Sequence, residues 1–95
     1  MSGELAATSV VRLPSGVRLK KDEIRDRFVL LAPERAVVVD PIAVAILNEI
    51  DGVKTFDAIV KSLAEKFDAD AQIITNDVRA FLLDLSNRRM LEFKQ

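Results

Sequence analysis

The side chains available for acid–base chemistry in this sequence are carboxylates and amines, because its 95 residues include no His and no Cys. The usual general base near neutral pH and the commonest metal ligand are therefore missing, and neither disulfides nor thiolate metal sites can form. None of the candidate acids lies at a spacing that a catalytic mechanism requires, and structural or solvated roles explain them. We predict that the protein is not an enzyme, with no catalytic residues, no metal site and no cofactor. The candidate acids are Glu23, Asp26, Glu34, Asp40, Asp57, Asp77 and Asp84.

The charge balance argues against nucleic acid and membrane as partners. The chain has 14 basic and 15 acidic residues, whereas a nucleic-acid binder of this size usually has a basic excess. No apolar run approaches the roughly 18 residues that suggest a membrane span. The first eight residues also lack the basic and apolar regions of a secretory signal. The composition is typical of a soluble globular domain, and we expect a cytoplasmic location.

The beginning of the chain predicts a flexible tail or linker. Residues 2–9 are mostly small or polar and offer little to pack. Pro14-Ser15-Gly16 is typical of a turn at a boundary. We therefore assign residues 1–15 to the tail and residues 16–95 to one domain.

Apolar patterning in the first half of the domain predicts three strands. Val17 and Leu19 alternate with basic residues, and residues 28–31 are continuously apolar. Pro33-Glu34 predicts a tight turn, and residues 36–39 form the third strand. Short connections between the strands predict an antiparallel meander.

After residue 40 the apolar period changes from about 2 to about 3.6, which predicts helices. Asp40-Pro41 provides an N-cap and a first helical residue, and Asp51-Gly52 predicts the end of that helix. Thr55 caps a second helix, and a third runs from about residue 71 to 87. The fold class is therefore α+β, a winged helix-turn-helix-like domain with an N-terminal three-stranded antiparallel sheet followed by three helices.

The third helix of a winged helix would enter the DNA major groove, so a DNA-binding regulator is the alternative function. Here Asp77 and Asp84 would oppose phosphate contacts. Arg88 and Arg89 lie at the carboxyl end of the helix, where they complement its dipole. The charge pattern therefore does not favour DNA.

The third strand is the sharper functional signal. Residues 36–39, Ala-Val-Val-Val, are uncharged and lack the Lys, Pro or bulge that usually protects an edge. In a simple meander this strand has one free edge. Three arrangements remain open: a helix covers the edge, a second copy of the chain pairs with it, or a guest peptide adds a strand. Periodicity alone favours the covered edge.

The stretch from Arg27 to Arg35, with Leu30-Leu31-Ala32-Pro33-Glu34 at its centre, resembles the central motif of the PqqD family, pyrroloquinoline quinone biosynthesis protein D. The family typically has an aromatic residue in place of Ala32 and often a Gly in place of Arg89. The resemblance covers roughly residues 13–93. Further matching positions are Asp51-Gly52, Thr55, Asp77-Val78, Phe81, Leu82 and Leu85.

The resemblance implies a peptide chaperone, a recognition element for ribosomally made and modified peptides. It implies binding of the precursor peptide PqqA by strand addition and its presentation to the radical S-adenosylmethionine enzyme PqqE. Some family members are fused to the oxidase PqqC, which would make residues 1–15 a former linker. The implied site combines the third strand and the third helix, although the apolar helix positions also suit the core. Its residues are Ala36, Val37, Val38, Val39, Asp40, Asp77, Val78, Phe81, Leu82 and Leu85.

Overall fold

Two antiparallel sheets and three helices form the part of the protein that the computed structural model describes, residues 5–94. One sheet has the strand order β2-β3-β4, and the other pairs β1 with β5. The α+β class and the predicted order of three strands and three helices are confirmed. The elements are β1 (Val10–Arg12), β2 (Arg18–Asp22), β3 (Arg27–Ala32), β4 (Arg35–Val39), α1 (Pro41–Asn48), α2 (Phe56–Phe67), α3 (Ala71–Asn87) and β5 (Glu92–Lys94).

The β2-β3-β4 meander is built around β3. Leu30 of β3 is fully buried and lies between Leu19 of β2 and Val37 of β4 in the strand register. A two-residue turn at Pro33-Glu34 joins β3 to β4, as the sequence predicts. Leu30 and Val39 of this sheet join the helices in the hydrophobic core, with Leu19, Phe28 and Val37 packed against it.

The helices begin where capping side chains predict them to begin. The Asp40 carboxylate accepts a hydrogen bond from the Ala43 amide at 2.8 Å, with Pro41 in the first helical position. The Thr55 hydroxyl accepts one from the Ala58 amide at 3.1 Å. Such caps satisfy amides that have no partner within the helix.

The first helix ends earlier than the sequence predicts. Helix α1 stops at Asn48 with Glu49 as its C-cap, and Gly52 adopts a φ of 82° in the loop beyond. The Asp51 carboxylate accepts hydrogen bonds from the amides of Val53 and Lys54 in that loop. Asp51 and Gly52 therefore shape the connection to α2 rather than the end of α1.

Residues 5–15 differ from the predicted tail, because they pack against the domain. Leu5, Ser9 and Val11 are buried, and Val11 pairs with Phe93 between β1 and β5. The Phe56 amide donates to the Ser9 carbonyl at 2.8 Å. Residue 16 is therefore not the start of the domain; residues 1–4 of the predicted tail lie outside the described residues.

A single core joins the sheets and helices. Its central side chains are aliphatic, as expected from a composition in which only 5% of residues are aromatic. No helix within residues 5–94 is both long and apolar enough to cross a membrane. The most deeply buried core residues include Val11, Leu30, Ile59, Leu63, Val78, Leu82 and Met90.

Candidate peptide-binding groove

Strand β4 forms one edge of the three-stranded sheet. Within residues 5–94 its outer side has no strand partner, because the strand order ends at β4. Val38 near the end of the strand is 54% exposed, and Ala36 is also exposed. No helix within residues 5–94 covers this part of the edge, so the covered arrangement that periodicity favours is not the one observed.

The opposite edge of the same sheet, β2, is protected by charge. It carries Arg18, Lys20 and Lys21, and the Lys21 ammonium lies 3.3 Å from the Asp26 carboxylate and 5.0 Å from the centre of the Phe28 ring. Basic side chains on an edge strand oppose pairing with another chain. The two edges therefore differ in kind, and β4 is the one open to strand addition.

A groove of about 380 Å³ runs between β4, the start of α1 and one face of α3. Val39, Ala43, Ile46 and Leu85 are its buried apolar side chains. Predicted site residues meet here from two elements that are about 40 residues apart in sequence. Those that line the groove are Val37, Val38, Val39, Asp40, Asp77, Phe81 and Leu85.

Three predicted site residues do not line the groove. Leu82 is fully buried in the core, and Val78 is 2% exposed and faces a neighbouring apolar pocket. Ala36 is exposed on β4 beside the Pro33-Glu34 turn, on the free edge but outside the groove. Leu82 therefore belongs to the hydrophobic core and does not face the groove.

The sequence analysis did not assign several groove-lining residues to the site: Ile42, Ala43, Ile46, Asp84 and Arg88. Ile42, the second residue of α1, is 66% exposed. A signal for this was present in the sequence, because α1 is apolar around nearly its whole circumference. A helix of eight residues at the surface cannot bury every side, so some of its apolar residues had to remain available.

The charged groups of the groove are mainly acidic. The Asp40 carboxylate is used as the cap of α1, and Asp84 lies 3.3 Å from the Arg88 guanidinium one turn along α3. Asp77 is exposed at the rim. A guest here therefore meets an apolar floor with carboxylates at its border.

The other candidate acids are dispersed over the surface. Asp57 lies 3.1 Å from the Lys61 ammonium on α2, and Asp26 pairs with Lys21 across the β2–β3 hairpin. Glu23 and Glu34 are exposed in turns. Within residues 5–94 no group of three or more His, Cys, Asp or Glu side chains is arranged to hold a metal ion.

Glu49, which the sequence analysis did not single out, carries the most perturbed carboxylate among the described residues. It is 2% exposed, and its carboxylate accepts hydrogen bonds from the Lys54 ammonium at 2.8 Å and from the Lys66 ammonium. Hydrogen bonds from Lys54 and Lys66 lower the pKa of Glu49 to about 2, against the opposing effect of burial. A carboxylate with this pKa is a poor general base near neutral pH, so Glu49 is a structural ion.

The basic residue in the middle of α3 is directed inward. The Arg79 guanidinium donates to the Leu5 carbonyl at 2.6 Å and lies 4.9 Å from the centre of the Phe56 ring. The same helix exposes Asp77 and Asp84. This surface does not offer the cations that phosphate recognition requires.

Comparison with known proteins identifies close relatives. The family model for coenzyme PQQ synthesis protein D (PqqD) matches residues 27–91. A PqqA binding protein of Rhizobium meliloti is 53% identical over 91 residues, which cover 96% of this chain and 93% of that protein. The bifunctional coenzyme PQQ synthesis protein C/D of Methylorubrum extorquens is 45% identical over 92% of this chain, which matches only 23% of that longer protein.

Solved structures agree with these relatives. The solution NMR structure of the PqqD truncation of Methylobacterium extorquens PqqCD superposes with a TM-score of 0.81 and 43% identity, covering 95% of this chain and 96% of that one. That domain is described as a functional, stand-alone recognition element for ribosomally synthesized and post-translationally modified peptides. The crystal structure of PqqD from Xanthomonas campestris gives a TM-score of 0.59 at 44% identity, over 84% and 89% of the two chains. The predicted resemblance is thus confirmed, and the chain belongs to the PqqD family of coenzyme PQQ synthesis proteins.

Proposed function

We propose that this chain is a peptide chaperone of pyrroloquinoline quinone synthesis that binds the precursor peptide PqqA as an added strand on β4. The open edge of β4 beside the α3 groove is the observation that carries the proposal. The name of the Rhizobium meliloti relative, a PqqA binding protein, supports the choice of guest. Backbone hydrogen bonds would supply affinity, and the groove would supply side-chain selectivity.

The strand register indicates which backbone groups would receive the guest. The two-residue turn makes the first pair of the β3–β4 ladder, Ala32 and Arg35, a hydrogen-bonded pair. Such pairs alternate with non-hydrogen-bonded pairs along an antiparallel ladder. The backbone of Val37 is then directed to β3, whereas the N–H and C=O groups of Ala36 and Val38 are directed to the free edge.

The chain contributes binding rather than chemistry in this proposal. Its candidate acids serve as caps and ion pairs or stand alone on the surface. A domain of this kind would hold PqqA in an extended form while the radical S-adenosylmethionine enzyme PqqE acts on it. It would work in the cytoplasm, where the precursor is made, and the C/D protein of Methylorubrum extorquens supports an association with PqqC.

The proposed site is tested by titrating isotope-labelled protein with synthetic PqqA peptide and following amide shifts by NMR. We expect the largest shifts in β4 and in the groove-facing residues of α3. Shifts confined to the β2 edge or to the β1–β5 sheet would contradict the site, because those surfaces lie outside the groove.

The same preparation distinguishes the alternatives. A DNA-binding regulator would bind duplex DNA with a steep loss of affinity as salt increases. A chain that pairs with its own copy through β4 would show a mass that rises with concentration. Either result without peptide binding would replace the proposed function.

A further inference from the structure

A second apolar depression, the helix notch, opens between the three helices. It has a volume of about 240 Å³, and its lining is almost entirely aliphatic and aromatic. Leu63 and Val78 are buried at its base. Its lining residues are Ile42, Ile46, Leu63, Phe67, Ile74, Asp77 and Val78.

The helix notch adjoins the β4–α3 groove. Ile42, Ile46 and Asp77 line both depressions and form their common boundary. Strand β4 leads through Asp40 directly into α1, which places Ile42 just beyond the Val39 end of the strand. An extended peptide on β4 that continues past this end therefore passes over the notch.

The rim of the notch exposes large apolar side chains. Ile42 is 66% exposed and Phe67, the last residue of α2, is 54% exposed. Exposed apolar surface of this kind marks interaction sites when it is contiguous. A dry apolar cavity of about 150 Å³ accommodates a benzene ring, so the notch has room for one aromatic or branched aliphatic side chain.

We propose that the helix notch is an anchor subsite, which receives one large apolar side chain of the same peptide whose strand lies on β4. This inference rests on the proposed function, because it takes the occupant of the groove as the source of the side chain. It adds a requirement on the guest: a Leu, Ile, Met or aromatic residue must adjoin the segment that pairs with β4.

The test compares two exposed apolar residues of similar accessibility. Phe67 lines the notch at 54% exposure, and Ile73 of α3 lies outside both depressions at 59% exposure. We expect Phe67→Ser to weaken binding of PqqA peptide about tenfold, and Ile73→Ser to change it less than twofold. Both affinities are measured by isothermal titration calorimetry.

The anchor residue is identified from the peptide side. Each large apolar residue of PqqA is replaced by Ala in turn, and the affinity of each altered peptide is measured for the unaltered protein and for Phe67→Ser. At one peptide position the replacement should lower the affinity for the unaltered protein but hardly change the affinity for Phe67→Ser. Nuclear Overhauser effects from that side chain to the Ile74 methyl group, and not to that of Ile24 on the hairpin tip, are expected in the unaltered complex. This second measurement does not depend on the folding of any variant.

The outcomes separate this inference from the proposed function. Unchanged affinity in Phe67→Ser, with peptide-induced shifts still present along β4, would remove the anchor subsite and leave strand addition standing. Absence of peptide shifts along β4 would overturn both. A concentration-dependent mass that Phe67→Ser abolishes, at unchanged peptide affinity, would assign the notch to a second copy of the chain instead.

Discussion

Glu49 joins three parts of the chain through one buried carboxylate. It caps the end of α1 and accepts hydrogen bonds from Lys54 in the following loop and Lys66 near the end of α2. A buried charge is costly unless it is paired and hydrogen-bonded, and here both oxygens have an ammonium partner. Losing the carboxylate or its charge removes both ion pairs, while the Lys54 and Lys66 side chains, 39% and 61% exposed, remain solvated.

The low pKa of Glu49 predicts a dependence of stability on pH. The pKa is about 2 in the folded chain and has its ordinary value of 4.5 in the unfolded chain. A lowered folded-state pKa stabilises the protein fully above pH 4.5, and this stabilisation is lost as the pH falls toward 2. We expect Glu49→Gln to reduce the free energy of unfolding by roughly 1–3 kcal/mol at pH 7 and by much less at pH 2.5.

Urea denaturation of both proteins at the two pH values measures this effect. The matched control is Glu92→Gln, because Glu92 is 2.8 Å from Arg12 but the pair is more than half exposed. An exposed ion pair contributes little, so this control should change stability by less than about 1 kcal/mol. Equal losses in the two variants would contradict the assigned role of Glu49.

Arg89 occupies a backbone conformation that favours Gly. It follows α3 with a φ of 63°. The left-handed region costs an ordinary residue roughly 1–2 kcal/mol, and the entropy of Gly in the unfolded chain offsets part of the gain. We expect Arg89→Gly to raise the free energy of unfolding by about 0.5–1 kcal/mol in urea denaturation.

The neighbouring residue provides the control for that substitution. Arg88 has a φ of −89° and pairs with Asp84. Arg88→Gly should therefore lower stability, because it gains no conformational relief and loses the ion pair. A destabilised Arg89→Gly would show that the Arg89 side chain matters more than its backbone.

At the scale of elements, the two edges of the meander allow a matched comparison. Val38 on β4 and Lys21 on β2 both direct their backbone N–H groups away from β3 by the alternation of the ladder. Pro removes that N–H. We expect Val38→Pro to weaken PqqA binding at least tenfold and Lys21→Pro to leave it nearly unchanged, both measured by fluorescence anisotropy.

The two affinities can be compared only if both Pro variants fold. Circular dichroism and thermal unfolding of both variants establish that, since Pro fits an outward-facing edge position better than a central one. Folded Val38→Pro that binds PqqA with unchanged affinity would contradict strand addition at Val38. Equal weakening in both variants would point to a general loss of sheet geometry.

Local signals explain how much of the fold could be predicted. Caps such as Asp40 and Thr55, and the Pro33-Glu34 turn, act within a few residues and leave a mark in the sequence. The pairing of β1 with β5 leaves no such mark, because Val11 meets Phe93 across nearly the whole chain. A three-residue strand with a distant partner cannot be recognised from its own short pattern.

The binding site could be predicted only in part, because some of its features are local and others depend on how distant elements pack. The bare edge of β4 is a local property, and the family resemblance added the facing side of α3. Which α3 side chains reach the groove depends on how the helix is rotated, so Leu82 was predicted there although it lies in the core. The role of Ile42 depended on the same three-dimensional arrangement.

Strand β1 contributes to the core that the helices share. Val11 is fully buried, while Val10 on the same strand is only partly buried. We expect Val11→Ala to lower the free energy of unfolding by about 1.5–3 kcal/mol and Val10→Ala by less than about 1 kcal/mol. Thermal unfolding measures both. If both substitutions have equally negligible effects, β1 does not contribute to the core and a flexible tail is the better description of this segment.

The antiparallel pairing of β1 and β5 brings Val10 opposite Lys94, at one margin of the domain. The first and last strands of the described residues are thus neighbours, and the chain between them forms a nearly closed circuit. A circular permutant in which a flexible Gly-Ser segment joins Lys94 to Leu5, so that the packed residues 5–9 are kept, and in which the new termini lie at Ile24, which is 92% exposed, should retain the same packing. The fold would then not depend on where the chain begins and ends. This suits a domain that relatives carry both alone and within a larger protein.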